Sequence, residues 1–393
     1  MEITARVFSR MAEIPRQAWE ILTADLSTPI LDWSWLNLLE TSGSINEEHG
    51  WFPRHLTLWR GKDLVAAAPL YKKTHSWGEF VWDQIFAQNA PRLGGAWYPK
   101  LVGMSPATPS VGWQVLVQNG ENAAELTSRW WQEALALGKR EGVASVSANF
   151  TDPEWAGPHV VERDPAWHVW KHQNFLWTNR GLSSFEDYLA CFDKNQRRNI
   201  RREIQGFKDQ GYTTKIVEGP EIPSSWFDLM GALYTKTNAQ FGPYAARFLE
   251  PAFFDSLDAI REILVFAATF YQNENQPTAL SFLLRKKDRL IGRYWGEVKH
   301  VDLQYFNVCY YEPLSWALQS GIKTFDPGAG SALKVRRGFE SQTNWSLHRF
   351  FDRRSEQLFT AFLDDFNRQE EENIKELNAA IPFREEKDLK KST

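Results

Sequence analysis

Three consecutive strand-like segments in the second half of the chain constrain its fold most strongly. They cover residues 263–271, 278–285 and 290–295, and connectors of only six and four residues separate them. Connections this short join neighbouring antiparallel strands, because a parallel connection needs a crossover of a dozen or more residues. Helical patterns flank these strands at 224–238 and 313–320. We therefore predict a mixed α/β fold in which helices cover a largely antiparallel sheet.

The first 150 residues have the pattern of a second unit of the same kind. Residues 55–59 and 64–71 are predicted to form a hairpin, and 122–139 an amphipathic helix with apolar residues at helical spacing. The stretch 78–112 is dense in Gly, Pro, Trp and Tyr, and long loops of this kind are often functional. Residues 151–165 contain three prolines, a glycine and four acidic residues, which makes them the best linker candidate.

Composition excludes several classes of protein. With 43% hydrophobic and 24% charged residues in 393, the chain is globular rather than disordered, and it divides into predicted domains at 1–160 and 161–393. We expect no membrane span, because no run of about 18 apolar residues occurs. The N-terminal residues carry charges where a secretory signal needs apolar ones. We therefore expect a cytoplasmic location, which also fits the presence of only two cysteines.

The overall composition predicts neither a metal site nor a surface built as a whole for nucleic acid. Two cysteines and eight dispersed histidines show no zinc-type spacing, so no metal site is predicted. The formal net charge of −4 argues against a surface built as a whole for nucleic acid. The 19 tryptophans fit either a core rich in large rings or a ligand groove, and composition cannot choose between them.

A basic helix is the first candidate for a binding site. Asp193 with Gln196 has capping-box spacing, and residues 194–208 contain six basic residues and one acidic residue. At ~100° per residue the six bases fall within an arc of about 140°. Such a stripe favours a phosphate-bearing partner, whereas a solvated face paired with nearby acids explains it equally well. The candidate contacts are Arg197, Arg198, Arg201 and Arg202.

A glycine-rich turn with following bases is the second candidate. Residues 325–339 follow a strand and contain Gly328 and Gly330, after which come Lys334, Arg336 and Arg337. Glycines let backbone N–H groups approach an anion, and a following base neutralises it. The segment lacks the Gly-Lys-Ser/Thr element of a P-loop. The alternative is a tight turn with surface bases, in which Lys334 faces solvent.

An arginine inside a predicted strand is the third candidate. Arg293 lies between glycine and Tyr-Trp, and a buried arginine needs an anionic partner. It either pairs with Glu297 or Asp302 or faces a ligand. Cys309 lies among aromatic residues with no histidine nearby, which argues against a nucleophilic thiol.

Ten short segments, in order along nearly the whole chain, resemble the FemAB-like N-acyltransferases. This group, also described as peptidoglycan biosynthesis or recognition proteins, belongs to the GNAT superfamily. The matching segments are 39–44, 50–53, 64–71, 98–101, 183–189, 197–202, 292–296, 309–311, 326–329 and 337–339. The resemblance implies two tandem GNAT-like domains with mixed, largely antiparallel sheets.

The resemblance also implies the kind of reaction. Fem ligases, which are relatives outside this subgroup, move an amino acid from aminoacyl-tRNA to a peptidoglycan precursor, and ordinary GNAT enzymes use acyl-CoA. The expected co-substrate is therefore acyl-CoA or aminoacyl-tRNA, with no tightly bound cofactor. The expected acceptor is a small-molecule or peptide amine, and tRNA is a further candidate partner.

Several positions depart from the pattern of the family. Ala332 and Leu333 stand where an acidic residue and a histidine are expected, and Tyr305 and Asn307 stand where a histidine and a glutamate are expected. Leu176 replaces another expected histidine. Either this branch uses a different base or substrate, or it has lost catalysis.

The leading hypothesis is an N-acyltransferase or aminoacyltransferase. An amine attacks a thioester or ester carbonyl directly, so the protein must orient both groups, polarise the carbonyl and take a proton. Asp326 is the candidate base, although it equally suits a cap of the Gly328 turn. Lys334 would stabilise the oxyanion or hold a phosphate, with Arg293 and Arg337 as anion contacts, and Tyr294 or Tyr310 would be the general acid. The alternative is a non-catalytic GNAT-like protein that binds a glycan or a nucleotide-linked ligand.

Overall fold

The chain was analysed as a computed structural model, which describes residues 2–242, 247–272, 274–330 and 332–384. It divides into two compact units. The first comprises Met1–Gln173, Phe248–Phe253 and Thr343–Glu372, and the second comprises Asn174–Arg247, Phe254–Gln342 and Asn373–Thr393. Because compactness does not establish which segments fold independently, the domain division at residues 160 and 161 stays a prediction.

The strands occur along the whole length of the described chain. In order they are β1 (Ile3–Phe8), β2 (Trp51–Pro53), β3 (His55–Arg60), β4 (Asp63–Ala68), β5 (Leu70–Lys73), β6 (Lys100–Gly103), β7 (Leu116–Val117), β8 (Ser145–Thr151), β9 (His168–Thr178), β10 (Tyr212–Glu218), β11 (Leu264–Tyr271), β12 (Ala279–Lys286), β13 (Arg289–Glu297), β14 (Thr324–Asp326) and β15 (Glu340–Phe350).

The helices alternate with these strands. In order they are α1 (Arg16–Thr23), α2 (Trp33–Thr41), α3 (Gln84–Asn89), α4 (Ala123–Arg140), α5 (Pro153–Ala156), α6 (Phe185–Ala190), α7 (Lys194–Asp209), α8 (Ser225–Ala239), α9 (Pro251–Asp255), α10 (Gln304–Phe306), α11 (Glu312–Gln319) and α12 (Arg353–Ala379). A π-helical turn, Asn307–Tyr311, joins α10 to α11. Among the described helices, none combines the length and the apolar character that crossing a bilayer requires.

The first unit contains two groups of paired strands. Antiparallel pairing links β1, β3, β4 and β7 in that order. In the second group β15, β8, β6, β5 and β2 are neighbours, and all of these pairs are antiparallel except β6 with β8. The predicted hairpin is confirmed as β3 and β4, which pair from Leu56 with Ala68 to Arg60 with Asp63.

The second unit is built on one mixed arrangement of strands. Strands β10 to β13 pair antiparallel in sequence order, as the short connectors predict. Strand β14 then pairs parallel with β13 and antiparallel with β9. The predicted fold class, a mixed and largely antiparallel α/β architecture, is therefore confirmed.

Large aromatic side chains fill both cores. Twelve of the tryptophans are buried, among them Trp113, Trp130 and Trp131, which contact one another in the first unit. The second unit has an apolar core to which β9, β11, β14 and the π-helical turn contribute. Most of the tryptophans thus stabilise the fold by burying apolar area, although Trp77 and Trp82 remain exposed.

Several elements differ from the sequence prediction. Residues 151–165 form helical turns inside the first unit, including α5, rather than an open linker. The long helix α7 begins after Asp193, whose Oδ1 accepts the N–H of Gln196 at 2.8 Å. The Gln196 amide does not return to Asp193 as a capping box requires; it donates to the carbonyl of Arg336 at 2.6 Å.

Candidate active site

The candidate site lies where two parallel strands of the second unit part. Strands β13 and β14 pair over only three residues, from Arg289 with Thr324 to Ile291 with Asp326. Beyond that point β14 ends, whereas β13 continues to Glu297. The glycine-rich turn that follows β14 therefore begins at the point of separation.

Gly328 occupies a position that only glycine fits. Its φ is +77°, and a Cβ atom there would lie 2.8 Å from the carbonyl oxygen of Gly292. The N–H of Gly328 donates to Oδ1 of the buried Asp326 at 2.8 Å. Asp326 thus caps the turn, as the alternative hypothesis for this residue predicts, and its role as a base stays a prediction.

Lys334 folds back over this turn. Its Nζ donates to the carbonyl oxygen of Gly328 at 2.8 Å and lies 5.4 Å from the centre of the Phe175 ring. The residue is only 2% exposed, so the alternative hypothesis, in which Lys334 is a surface base, is wrong. Phe175 belongs to β9, a distant segment of the chain, so sequence alone could not reveal this burial.

Burial changes the protonation behaviour of Lys334. Loss of solvent lowers its pKa from the ordinary 10.5 to about 8, although Asp326 and Cys309 oppose this change. No carboxylate lies within ion-pair distance of its Nζ among the residues the structure describes. Lys334 is therefore a buried amine held by a carbonyl oxygen, still mostly protonated at neutral pH. Burial also raises the pKa of the Cys309 thiol.

Arg337 is engaged by the protein on every side. Its Nη2 contacts Glu203 Oε2 at 2.9 Å and its Nε donates to the Tyr311 hydroxyl at 3.2 Å. Its Nη1 donates to the Leu333 carbonyl, and its guanidinium lies 3.7 Å from the centre of the Phe306 ring. These contacts tie the turn to α7 and the π-helical turn, and a role for Arg337 as a ligand contact stays a prediction.

Three further candidate ligand contacts, Arg336, Arg293 and Gly330, lie in different surroundings. Arg336 is exposed. Arg293, on β13, donates from Nη2 to the Tyr294 hydroxyl at 3.0 Å. Gly330, with φ of +128°, lies beside Lys334, whose Nζ would be 3.4 Å from a Cβ atom there. Gly328, Gly330 and Lys334 therefore lie together, and the ligand contacts assigned to all these residues remain predictions.

Tyr310 lies on a helical turn that the sequence did not predict. Its buried hydroxyl forms a 2.6 Å hydrogen bond with the hydroxyl of Tyr305, and burial raises its pKa. Asn307, from the same π-helical turn, donates from Nδ2 to the Leu303 carbonyl at 2.9 Å. Tyr305 and Asn307, which replace expected family residues, thus have structural contacts of their own.

The basic helix α7 presents its arginines as expected. Ile200 and Phe207 are buried, whereas Arg198, Arg201 and Arg202 are exposed and Arg197 is half-buried. Arg201 pairs with Glu186 at 2.6 Å, and Arg202 donates to Asn199 at 3.3 Å. In the described part of the chain, Arg197 and Arg198 have no side-chain partner. The charge of Arg201 is therefore neutralised within the fold, whereas Arg197 and Arg198 could contact a ligand.

Sequence reasoning missed a cluster of buried charges in the first unit. Lys100 Nζ lies 2.8 Å from both Glu79 Oε2 and Asp83 Oδ2, and all three side chains are almost completely buried. Lys73, also buried, donates to the Trp77 carbonyl at 3.1 Å. The signal in the sequence was two carboxylates set among large apolar neighbours in residues 77–83. No group of side chains positioned to hold a metal ion occurs in the described residues.

Comparison with known proteins places this architecture in a family. The profile of the FemAB-like family, described as peptidoglycan biosynthesis/recognition, matches residues 10–385. The chain therefore belongs to the FemAB-like family. No curated protein sequence matches it significantly.

Solved structures support the same fold at low sequence identity. FemX is 11% identical with a TM-score of 0.55, over 92% of this chain and 99% of that one. L-PGS from Bacillus licheniformis is 11% identical with a TM-score of 0.50, over 86% and 92%. A conserved protein of unknown function from Bacteroides thetaiotaomicron is 10% identical with a TM-score of 0.52, over 88% and 99%. At such identities these similarities establish the fold alone.

Proposed function

We propose that this chain is an N-acyltransferase or aminoacyltransferase with its reaction centre at the separation of β13 and β14. Family membership and a transferase-type fold support the class of reaction. The observation that carries the proposal is Lys334, a buried amine at the separating strands whose hydrogen-bond partner is a backbone carbonyl. The donor would be acyl-CoA or aminoacyl-tRNA and the acceptor an amine.

Lys334 supplies positive charge where the reaction needs it. When the acceptor amine attacks the donor carbonyl, negative charge develops on the carbonyl oxygen. An ammonium has three N–H donors, and Gly328 uses one, which leaves others for the oxyanion. Because few polar groups surround it, this charge acts in a medium of low dielectric, where it stabilises the transition state more than water would.

Asp326 has the position to orient the attacking amine. Its Oδ1 accepts the N–H of Gly328, which fixes the carboxylate at the end of β14. A carboxylate has about four lone-pair sites, and Oδ2 of Asp326 also lies 3.9 Å from Nη2 of Arg289. We assign Asp326 the role of accepting a hydrogen bond or a proton from the amine, and Lys334 that of the oxyanion contact.

A non-catalytic binding protein remains the second candidate, because some polar groups expected to act in catalysis have partners within the fold. Arg337 is occupied by Glu203 and Tyr311, and the Tyr310 hydroxyl is occupied by Tyr305. The ligand in that case would be a glycan or a nucleotide-linked molecule.

A transfer assay with matched variants distinguishes the two candidates. Purified protein is incubated with radiolabelled acyl-CoAs or aminoacyl-tRNAs and a panel of amines, and the labelled product is counted. We expect transfer by the wild type and by Lys73→Met, which removes another buried lysine, but not by Lys334→Met. Stabilisation of the protein by glycans or nucleotide sugars, with no transfer from any donor, would support the binding protein instead.

A further inference from the structure

A short segment of the first unit reverses the usual distribution of polar and apolar side chains. In residues 79–93 both carboxylates are buried, with Glu79 at 0% and Asp83 at 1% exposure. Three large apolar side chains are exposed instead: Trp82 at 74%, Ile85 at 52% and Leu93 at 55%. Isolated exposed apolar residues are common, but three of them beside two hidden acids need an explanation.

The hidden acids are neutralised from inside the unit. Lys100 contacts both carboxylates at 2.8 Å, and Trp97 Nε1 donates to Asp83 Oδ2 at 2.7 Å. Phe86, the residue after Ile85 on α3, packs into the aromatic core. The segment is thus anchored on its inner side and contributes no exposed carboxylate to its outer side.

Two arginines are exposed at the end of this segment, where the half-buried Asp352 also lies beside Gly95. Arg92 is exposed and donates to Asn89 Oδ1 at 3.3 Å, which ties the turn before Leu93 to α3. Arg354, also exposed, donates from Nη1 to the Gly94 carbonyl at 2.7 Å, next to Leu93. Apolar side chains with arginines at one end are complementary to a surface that is apolar beneath and anionic at its boundary.

We propose that Trp82, Ile85 and Leu93, with Arg92 and Arg354, form a docking surface for a bilayer containing anionic phospholipid. Tryptophan is favoured at the headgroup level, where its ring is half in apolar surroundings, and bases near anionic headgroups add attraction. A second copy of this chain fits less well, because a stable dimer buries about 800 Å² per partner. Three side chains on a turn and a six-residue helix supply far less.

Vesicle flotation with matched variants tests this docking surface. The probes are vesicles of phosphatidylglycerol and phosphatidylcholine in a 1:3 ratio, and vesicles of phosphatidylcholine alone. The test variant combines Trp82→Ala with Ile85→Ser. The control is Ile21→Ser on α1, since Ile21 is in the same unit and is also 52% exposed.

The expected result is binding to the anionic vesicles, weaker binding to the neutral ones, and a loss of ~10-fold or more in the double variant. Arg92→Gln should reduce binding to anionic vesicles about fivefold, the effect of one base near the surface. Ile21→Ser should bind like the wild type. Circular dichroism of each variant verifies that these exposed substitutions leave the fold intact.

Three outcomes would overturn the proposal. The first is that the wild type floats with neither kind of vesicle. The second is that Ile21→Ser loses as much binding as the double variant, which would indicate non-specific adsorption. The third is that light scattering shows a dimer that the double variant dissociates, because the apolar surface would then belong to a second copy of the chain.

Discussion

Two buried lysines, one in each unit, have pKa values that shift in opposite directions although both side chains are almost completely buried. In the first unit Lys100 contacts Glu79 and Asp83, both at 2.8 Å. Burial alone would lower its pKa, but the two carboxylates outweigh burial and raise it. In the second unit Lys334 donates to the carbonyl of Gly328 rather than to a carboxylate, and burial lowers its pKa to about 8.

The difference teaches that partners, rather than depth, decide what a buried charge can do. Lys100 is neutralised and held, so its ammonium is part of the structure. Among the described residues no carboxylate pairs with Lys334, and we propose that its charge therefore acts on a substrate. Lys73 allows the same comparison within the first unit, because it lies beside Lys100 but donates to a carbonyl instead of a carboxylate. Burial lowers the pKa of Lys73 to about 7.

The largest effect should come from removing the paired lysine. Lys100→Met leaves Glu79 and Asp83 buried without their cation, which should reduce the free energy of unfolding by ~3–5 kcal/mol. Lys334→Met should cost less than about 1 kcal/mol, because the charge it removes is already unfavourable. Urea unfolding of both variants measures this contrast, and equal losses would contradict it.

The next largest effect should be on turnover. Lys334→Met should lower the transfer rate ~10²–10³-fold, the typical cost of removing one donor to an oxyanion. Because the cation is the active form, the rate of the wild type should fall as the pH rises through about 8. A rate that rises through the same range would show instead that Lys334 acts as a base.

A smaller effect is expected on the basic helix. Replacing Arg197 and Arg198 together by Glu should weaken binding of aminoacyl-tRNA on the order of tenfold and flatten its salt dependence, because fewer phosphates are neutralised. The matched control replaces Lys139 and Arg140, exposed at the end of α4, by Glu. Filter binding across a salt series measures both. If the two double variants behave alike, α7 is a solvated face.

The smallest effect concerns Lys73. The pKa of Lys73 is lower in the folded protein than in the unfolded chain. Between pH 7 and 10.5 the unfolded chain therefore binds more protons than the folded one, and the free energy of unfolding rises with pH. At 1.36 kcal/mol per pKa unit the penalty at pH 6 is on the order of 4–5 kcal/mol. Lys73→Met removes it but also removes the contacts of Nζ with the Trp51 ring and the Trp77 carbonyl, so it should raise the free energy of unfolding by roughly 1–2 kcal/mol at pH 6. The gain should shrink towards pH 10.5. Urea unfolding at both pH values checks it, and a gain independent of pH would refute it.

The strands that the sequence predicted are those with plain apolar patterns. Strands β11 and β12 are largely apolar runs, and short polar connectors separate them from each other and from the more mixed β13, so the existence and antiparallel order of the three were predictable. Strand β15 was not predicted, because Ser341, Asn344, Ser346 and His348 occupy its buried positions. Only tertiary partners, such as the His172 ring that bonds Ser346, compensate for that polarity.

Local sequence patterns predicted part of the candidate site. Glycines after a strand marked the turn, and the spacing to Lys334 indicated that the lysine could reach it. The depth of Lys334, the engagement of Arg337 by Glu203 and the helical turn that carries Tyr310 depend on contacts between distant segments. Local sequence patterns do not contain such contacts.

The most direct test of the contrast between the two lysines is an NMR titration, which requires no substrate. With ¹³Cε-labelled lysine, the signal missing from the Lys334→Met spectrum identifies Lys334, and its shift is followed against pH. We predict a midpoint near pH 8 for Lys334 and no titration of Lys100 up to pH 11. A midpoint for Lys334 near 10.5, the value of a solvated lysine, would contradict the account.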